Sequence, residues 1–309
     1  MSYCQVDRRQ LLRGATAVAL ATLWEDRSFA QTNYSFKQGN FSISVVSDGF
    51  ISIPGNIFAP DAAPQELVEI LGRLDSQAGI VRAKTNIPVI RSKSDLILVD
   101  IGAGHRYQPS DGKLTENLRA AGVDPLNVTK VVFTHAHPDH IAATIAANSN
   151  LRFPNATYYV GASEWDFWMD PDFFRSTPAA IHDFGRGAQR DLRAIEERVV
   201  MVKPGDDIVT GLRVLDTAGH TPGHLSLEIS GEEGLIITAD AATSEIVSLE
   251  HPGWKFGYDT IPEVAIKNRV RLVDRAATEK TKLLGYHWAY PGVGFVETKG
   301  SAFHFVPAV

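Results

Sequence analysis

One short segment, residues 134–140 with the sequence Thr-His-Ala-His-Pro-Asp-His, constrains this chain more than any other. Three of the ten histidines lie here, directly after a short apolar run that is typical of a buried strand. In extended backbone, residues two apart point the same way, so His135, His137 and Asp139 converge on one side. The proline before Asp139 suits the first turn of a helix, which takes His140 to a neighbouring point. The segment therefore predicts ligands for two adjacent metal positions rather than a polar loop that contains histidines by chance.

The first thirty residues have the order of an export signal. Residues 8–13 are rich in arginine, residues 14–23 are apolar, and residues 28–30 offer small side chains at a cleavage site. The apolar run is too short for a membrane helix, which needs about 20 residues. The arginine pair resembles a twin-arginine signal. We predict that residues 1–30 are a twin-arginine-type signal peptide recognised by the twin-arginine export machinery, and that residues 31–309 are a single catalytic domain, periplasmic or secreted. The alternative is a disordered or helical N-terminal arm.

The only cysteine, Cys4, lies within that predicted signal. Without it the mature chain has neither disulfides nor thiolate ligands. Any metal must then be held by imidazole and carboxylate, a donor set that suits zinc, iron, manganese or cobalt. The net charge of −6 argues against a nucleic-acid partner, because a nucleic-acid surface needs a basic stripe.

From residue 41 onwards the chain alternates between short strands and helices. Residues 41–47 and 50–54 alternate in polarity and predict an opening hairpin. Further strands are predicted at residues 86–90, 96–100, 130–134, 157–160, 212–217, 225–229, 235–240, 283–286 and 295–299. Helices are predicted at residues 64–74, 113–121, 141–147, 178–198 and 262–282. Helices interspersed with many short strands indicate an α/β sandwich of sheets covered by helices.

The H-x-H-x-D-H pattern resembles the signature of the metallo-β-lactamase superfamily, and three later landmarks follow in the family's order. Residues 218–224, Ala-Gly-His-Thr-Pro-Gly-His, are similar to the second motif. Asp240 ends a strand as the bridging carboxylate of the family does, and His287 closes a strand near the C-terminus as the last ligand does. The resemblance covers residues 41–306. It implies a four-layer αββα sandwich of two mixed β-sheets flanked by helices.

The resemblance also implies a dinuclear site with ligands from all four motifs. One ion is bound by His135, His137 and His220, the other by Asp139, His140 and His287, and Asp240 bridges the two. The two divalent ions, with zinc the first candidate, would ionise a bridging water and polarise the bond under attack. Asp139 and Asp240 are the expected catalytic residues. Asp100, at the end of an apolar strand, is expected to support the metal-binding loop as in the family. His224 is expected to orient a ligand by a hydrogen bond, or else to be structural.

The presence of Asp240 favours a hydrolase of esters, lactones or phosphotriesters over a β-lactamase, which usually has cysteine or serine at that position. Glyoxalase-type thioesterases append a helical domain, whereas few residues follow His287. Residues 286–295 look like the corresponding region of methyl parathion hydrolase-like members, and lactonase-like members are the other candidates. We expect a small-molecule substrate, a lactone or aryl ester before a phosphotriester, attacked by a metal-bridging hydroxide.

Trp168 is the predicted substrate-pocket residue. It lies in the aromatic segment 165–174. The rings of this segment either form the wall of a substrate pocket or pack into the hydrophobic core. Three other functions stay open: β-lactamase activity, a mononuclear iron oxidoreductase of sulfur compounds, and a binding module without catalysis. One iron per chain would identify the oxidoreductase, and lost ligands would indicate the module, but none is missing. The natural substrate, the metals and the oligomeric state stay open, with a homodimer among the alternatives.

Overall fold

The computed structural model describes residues 34–300 and 302–308, so the predicted signal peptide lies outside the described residues. The strands of the first half are β1 Tyr34–Gln38, β2 Phe41–Pro54, β3 Ser76–Gln77, β4 Ile80–Arg91, β5 Leu96–Val99, β6 Lys130–Phe133, β7 Thr157–Gly161 and β8 Val199–Val202. Those of the second half are β9 Asp207–Val209, β10 Leu212–Asp216, β11 Leu225–Ile229, β12 Leu235–Ala239, β13 Lys282–Gly285, β14 Val293–Lys299 and β15 Ala302–Pro307.

The helices lie between these strands and outside both sheets. They are α1 Gly55–Phe58, α2 Pro64–Arg73, α3 Leu114–Ala120, α4 Pro138–Ile141, α5 Ala162–Met169, α6 Phe173–Ser176, α7 His182–Ala194, α8 Val247–Glu250 and α9 Pro262–Glu279. Short 3₁₀ turns occur at Pro125–Asn127, Ala142–Thr144, Ala179–Ile181, Glu196–Arg198 and Asp240–Ala242. No helix in the described part of the chain combines the length and apolar character that crossing a membrane requires.

Two mixed sheets form the centre of the molecule. Within the described residues, the first sheet has the order β1-β2-β4-β5-β6-β7-β8, with β3 added beside β4, and the second has the order β15-β14-β13-β12-β11-β10-β9. Strands β5 to β8 run parallel, as do β12 and β13, while the hairpin-connected strands are antiparallel. This arrangement confirms the predicted αββα sandwich.

Apolar side chains from both sheets fill the space between them. Ile97 and Val132 of the first sheet belong to the same buried cluster as Leu227 and Leu284 of the second. The outer face of the first sheet packs against α3, α5 and α7, and the outer face of the second packs against α9. Each strand of the sheet interior is therefore apolar on both faces, which is why these strands appear as continuous hydrophobic runs in the sequence.

The opening hairpin differs from the predicted one. Residues 41–47 and 50–54 form one long strand, β2, whose register with β4 shifts between Ser47 and Gly49. Gly49 has φ +119°, and a Cβ there would lie 2.1 Å from the carbonyl oxygen of Ser110, so only glycine fits this bulge. The hairpin instead joins β1 to β2, and β1 precedes the first predicted strand. A glycine that indicates a turn in the sequence thus bends a continuous strand.

Two predicted helices are shorter in the structure. The helix expected at residues 141–147 begins earlier, as α4, and ends in the 3₁₀ turn Ala142–Thr144. The helix expected at residues 178–198 is α7 flanked by two 3₁₀ turns. The early start of α4 follows from Pro138 at its first position, because proline has no N–H to satisfy there.

The carboxyl ends of β5, β6, β12 and β13 lie at one edge of the sandwich, where the predicted site residues follow them. Asp100 follows β5 with φ +59°, and Ala239, the last residue of β12, has φ +45°. A non-glycine residue in this region costs about 1–3 kcal/mol and persists where the surrounding structure fixes it. The first strained position places the carboxylate of Asp100 itself at this edge. The second, Ala239, places the carboxylate of the next residue, Asp240, at the same edge.

Candidate metal centre

Three histidines from two loops aim their nitrogens at a common point. The loop after β6 supplies His135 and His137, and the loop after β10 supplies His220. His137 Nδ1 lies 3.1 Å from His135 Nε2 and 2.9 Å from His220 Nε2. These side chains are nearly inaccessible to solvent. Buried nitrogen atoms at such distances need a shared cation or proton, because their lone pairs otherwise repel.

Asp139, His140 and His287 form a second group beside the first. His287 Nε2 lies 3.3 Å from Asp139 Oδ2, and His140 Nε2 lies 3.5 Å from the same oxygen. Asp139 and His140 belong to α4, and His287 follows β13. The early helix start at Pro138 therefore turns Asp139 and His140 away from His135 and His137. The expectation from extended backbone, that Asp139 converges with His135 and His137, was wrong because Asp139 is helical. The grouping implied by the family resemblance is the one observed.

Asp240 lies between the two groups. Its Oδ2 atom is 3.3 Å from His220 Nε2 and 3.4 Å from His287 Nε2, while its Oδ1 atom is 3.3 Å from His140 Nε2. A carboxylate that contacts imidazoles of both groups has the position that a bridging ligand needs. The structure thus brings together all seven residues that the sequence singled out as ligands.

The described donor atoms fit two divalent ions. Buried Asp139 Oδ2, His140 Nε2 and Asp240 Oδ1 have no hydrogen-bond partner, although each belongs to a strongly polar group. Burial lowers the pKa of His137 to about 3, so this imidazole is neutral, as a ligand must be. Burial acts in the same direction on His287, but Asp240 and Asp139 beside it raise its pKa to about 10. The two carboxylates therefore demand positive charge, which two metal ions supply.

Hydrogen bonds orient the ligand imidazoles from behind. His140 Nδ1 lies 2.8 Å from Asp100 Oδ2, and Asp100 also accepts from the backbone N–H and the hydroxyl of Thr134. His287 Nδ1 donates to the carbonyl oxygen of Lys84 at 2.8 Å. Each bond leaves the Nε2 atom free to face the centre. Asp100 therefore occupies the supporting position expected from the sequence.

His224 and Asp259 complete this outer layer. His224 Nε2 accepts the backbone N–H of Asp240 at 3.1 Å, so His224 supports the centre without facing it. Asp259 Oδ1 lies 3.1 Å from His220 Nδ1, and Asp259 Oδ2 accepts from Arg269. Sequence reasoning missed Asp259, because it lies in a loop with no periodic signal and is distant from every motif.

A small pocket, open to solvent, lies over the centre. Besides the ligands and Pro138, its wall consists of apolar and aromatic side chains: Ile51, Ile53, Tyr107, Phe184, Phe256 and Tyr258. The Phe184 ring lies 5.3 Å from the His137 ring, and the Phe256 ring lies 5.8 Å from the His220 ring.

Trp168, the predicted pocket residue, is not part of this wall. Its side chain is only 1% exposed and packs behind His137, with the two ring centres 5.9 Å apart. Its indole N–H donates to Glu164 Oε1 at 2.6 Å. The aromatic segment 165–174 packs largely into the core, and Phe184 is the nearest aromatic residue along the chain that reaches the pocket. The wall therefore comes from segments that are distant in sequence and that aromatic clustering does not reveal.

Comparison with known proteins agrees with this geometry. The sequence profile described as Metallo-beta-lactamase superfamily matches residues 82–287, more than half of the chain, and the match includes all seven predicted ligands. The chain belongs to the metallo-β-lactamase superfamily. Among the solved structures that resemble nearly the whole chain are AidC and AbOPH. AidC, a dizinc quorum-quenching lactonase in complex with the product N-hexanoyl-L-homoserine, is 28% identical, with a TM-score of 0.83 over 90% of this chain and 97% of AidC.

The hydrolase AbOPH, described as a member of the beta lactamase superfamily, is also 28% identical. Its TM-score is 0.84 over 91% of this chain and 99% of AbOPH. Among sequence relatives, the N-acyl homoserine lactonase AttM of Agrobacterium fabrum is 32% identical over 143 residues, 43% of this chain. That alignment spans 48% of AttM, so this chain matches about half the length of that relative. The N-acyl homoserine lactonase AiiA of Bacillus thuringiensis subsp. kurstaki is 27% identical over 222 residues, 63% of this chain and 79% of AiiA.

Proposed function

We propose that this protein is a metal-dependent hydrolase that opens neutral lactones with an apolar substituent, with N-acyl homoserine lactones as the substrate class. The observation that carries the proposal is the pocket over the seven-residue centre. Its wall is apolar and aromatic, and among the described residues that line it none is a lysine or arginine. Such a wall favours an uncharged ester with a hydrocarbon arm over an anionic thioester or carboxylate. The names of AttM, AiiA and AidC support the same class.

Zinc is the proposed metal at both positions. The donors are imidazole nitrogens and carboxylate oxygens, with no thiolate, and zinc accepts this set readily in catalytic sites. His135, His137 and His220 would hold one ion, and Asp139, His140 and His287 the other, with Asp240 shared. When bound, the pair would lower the pKa of a water molecule near neutrality and polarise the lactone carbonyl.

The protein's own side chains would orient the substrate and carry the proton. Asp139 lies at the pocket wall beside the centre. We propose that its carboxylate takes up the proton that water releases on attacking the carbonyl carbon. When the ring C–O bond breaks, the same proton passes to the leaving alkoxide, which gives a hydroxy acid. Asp240, fixed at the end of β12, would hold the two halves of the site at a constant separation.

The acyl arm would lie against the rings of the pocket wall. Phe184 and Phe256 contact ligand imidazoles, and Tyr258 lies against both rings, with centre-to-centre distances of 6.1 Å and 5.6 Å. Ile51 and Ile53 of β2 also line the pocket. Burial of each methylene contributes about 0.8 kcal/mol, or roughly fourfold in binding. Longer acyl chains should therefore bind more tightly until the pocket is full.

Steady-state kinetics on matched substrates test the proposal. N-hexanoyl homoserine lactone should give the highest kcat/KM, above γ-butyrolactone, which has the same ring without the acyl amide. Both should exceed a β-lactam and a glutathione thioester. A β-lactam or thioester that outperforms the acylated lactone would contradict the substrate class.

Hydrolysis of aryl esters is a second candidate, favoured by the four rings of the pocket wall. Stacking of a planar leaving group on an aromatic side chain adds about 0.5–1.5 kcal/mol per pair. A phenolate also leaves without a strong acid, so the site needs little beyond its metals. An aryl acetate and an aryl phosphotriester belong in the same kinetic panel, and a kcat/KM for either above that of the acylated lactone would make it the preferred class.

We further propose that residues 1–30 direct export through the twin-arginine route. This route carries folded proteins, so the metals would be inserted before the chain crosses the membrane. Replacing Arg8 and Arg9 together with lysine should hold the protein in the cytoplasm, as followed by cell fractionation. Unchanged delivery to the periplasm would contradict this route.

A further inference from the structure

Glu164, in the first turn of α5, is a buried acid that makes hydrogen bonds to four donors. Its Oε1 atom accepts the backbone N–H of Ala136 at 2.9 Å and the indole N–H of Trp168 at 2.6 Å. Its Oε2 atom accepts the hydroxyl of Thr221 at 2.6 Å and the backbone N–H of Gly223 at 3.1 Å. The residue is 1% exposed, and none of the four donors is a cation. Such a carboxylate fixes what surrounds it, because each donor would be costly to leave unpaired.

The four donors belong to the two loops that supply the three-histidine group and to the helix itself. Ala136 lies between His135 and His137, and Thr221 directly follows His220. We propose that Glu164 is a positioning residue, which sets the separation of these two loops and hence the geometry of the three-histidine metal position. The proposal rests on the metal assignment made under the proposed function.

The packing of Gly223 is independent evidence that the second loop is seated on α5. A Cβ at Gly223 would lie 2.0 Å from the backbone nitrogen of Glu164 and 2.5 Å from its Cα. The loop backbone therefore approaches the start of the helix more closely than any side chain permits. Because helix and loop are in direct contact here, a shift of the Glu164 carboxylate cannot be absorbed by a gap between them.

A carboxylate is required at this position, and an amide is not equivalent to it. Glutamine at residue 164 would replace one acceptor oxygen with an NH₂ group, which only donates. The Thr221 hydroxyl can reverse and accept, but the N–H groups of Ala136, Trp168 and Gly223 cannot. The amide nitrogen therefore fits better on the Thr221 side, where only the Gly223 N–H loses its partner. Glu164→Gln should accordingly loosen the loop that carries His220.

The second metal position does not depend on Glu164. His140 is held by Asp100, and His287 by the carbonyl oxygen of Lys84. The hydroxyl of Tyr286 donates to the carbonyl oxygen of Asp139 at 2.7 Å and secures α4. A general loss of stability would affect both positions, whereas loss of the positioning contact should affect one.

Metal binding by the full chain, measured without substrate, tests the proposal. The metal-free protein is loaded with Co²⁺, whose absorption reports ligand geometry, and the ions are then withdrawn with a chelator. The wild type should release two ions. In Glu164→Gln one ion should bind about 10–100-fold more weakly, with a changed absorption band, and the other should be unaffected. Asp166→Asn, which removes an exposed charge from the same helix, should match the wild type.

Thr221→Val keeps the carboxylate and removes one donor next to His220, so it provides a second variant if Glu164→Gln does not fold. It should weaken the same ion, by a smaller factor. Equal weakening of both ions, or unchanged binding and absorption in the variants, would overturn the proposal. A wild type that binds fewer than two ions would overturn it together with the metal assignment. A wild type that binds two ions but hydrolyses no lactone would refute the proposed substrate alone.

Discussion

The imidazole of His224 accepts a hydrogen bond from the backbone N–H of Asp240, with 3.1 Å between His224 Nε2 and the amide nitrogen. The other ring nitrogen, Nδ1, lies 2.9 Å from the hydroxyl of Thr217, to which it donates. Burial lowers the pKa of His224 to about 3, so the ring is neutral and its Nε2 is an acceptor. The bond holds the strained turn at Ala239 from which the Asp240 side chain reaches both halves of the centre.

Replacing His224 with alanine should impair the centre without removing a ligand. The Asp240 N–H would lose its acceptor, and the turn at Ala239 would be free to relax. We expect kcat to fall about 10–100-fold with weaker metal binding and little change in KM. His304→Ala, at an exposed position, is the matched control. Kinetics equal to those of the control would show that His224 is only a packing residue.

Replacing Asp240 with alanine should lower turnover by several orders of magnitude while the fold stays largely intact. The reason is that the Asp240 carboxylate contacts imidazoles of both groups, so its loss disturbs both metal positions and the nucleophile between them. Turnover and metal content are measured together, with the exposed Asp274→Ala as the control. Near-native turnover with two bound metals would mean that Asp240 does not bridge.

Phe184→Ala should raise KM for an acylated lactone severalfold and leave kcat nearly unchanged. Ring contacts of this kind bind substrate and transition state alike, so they affect KM first. Phe174→Ala removes an exposed ring of the neighbouring aromatic segment and should have no effect on KM. If the Phe174 variant changes KM and the Phe184 variant does not, the pocket has been assigned to the wrong rings.

The opposite pattern is expected for Trp168. Its ring is enclosed by the core, so Trp168→Ala should lower the free energy of unfolding by about 3–5 kcal/mol through the cavity that it leaves. Urea denaturation measures this loss. A raised KM with undiminished stability would instead restore Trp168 to the substrate pocket, as the sequence predicted.

His135, His137, Asp139 and His140 were predictable from sequence as ligands because they are neighbours in the chain, at the end of a strand and in the helix that follows it. The pocket was not predictable in this way. Its wall combines Ile51 from the long strand β2 with some side chains that are more than fifty residues away along the chain and others that are more than two hundred residues away. A cluster of rings in sequence does not distinguish a ring that faces a cavity from one that faces the core.

The long strand and Glu164 show the same limit. Glycine is common in turns, so Gly49 indicates a turn in the sequence. The structure shows a bulge there instead, where the carbonyl oxygen of Ser110 leaves no room for a side chain. Glu164 appears as one acid in an aromatic helix, with Trp168 one turn later as the only local sign of burial. Its four donors come from three separate segments, so its role follows from tertiary structure and from nothing local.

Asp75 should make the stability of the fold depend on pH near the β3–β4 hairpin. Partial burial acts to raise its pKa, but Lys84 and Arg82 outweigh burial and hold the pKa of Asp75 below its ordinary value. A depressed acid pKa stabilises the folded state above the ordinary value near 4, and this contribution is lost as pH falls through the folded value.

At pH 7, Asp75→Asn should therefore cost at most about 1 kcal/mol, because the pair is partly exposed and screened by solvent. The difference from wild type should shrink as the pH falls below 4. Urea denaturation across this range measures both, with the exposed Asp166→Asn as the control. If the stability difference between Asp75→Asn and the wild type instead grew as the pH fell, the pKa of Asp75 would not be lowered in the folded state.

The most direct test of the central claim is the number of metal ions in the purified, active enzyme. Inductively coupled plasma mass spectrometry should find two divalent ions per chain. Their removal should abolish lactone hydrolysis, and readdition of zinc should restore it. A single iron per chain, or hydrolysis that survives complete removal of metal, would contradict the two-ion hydrolase described above.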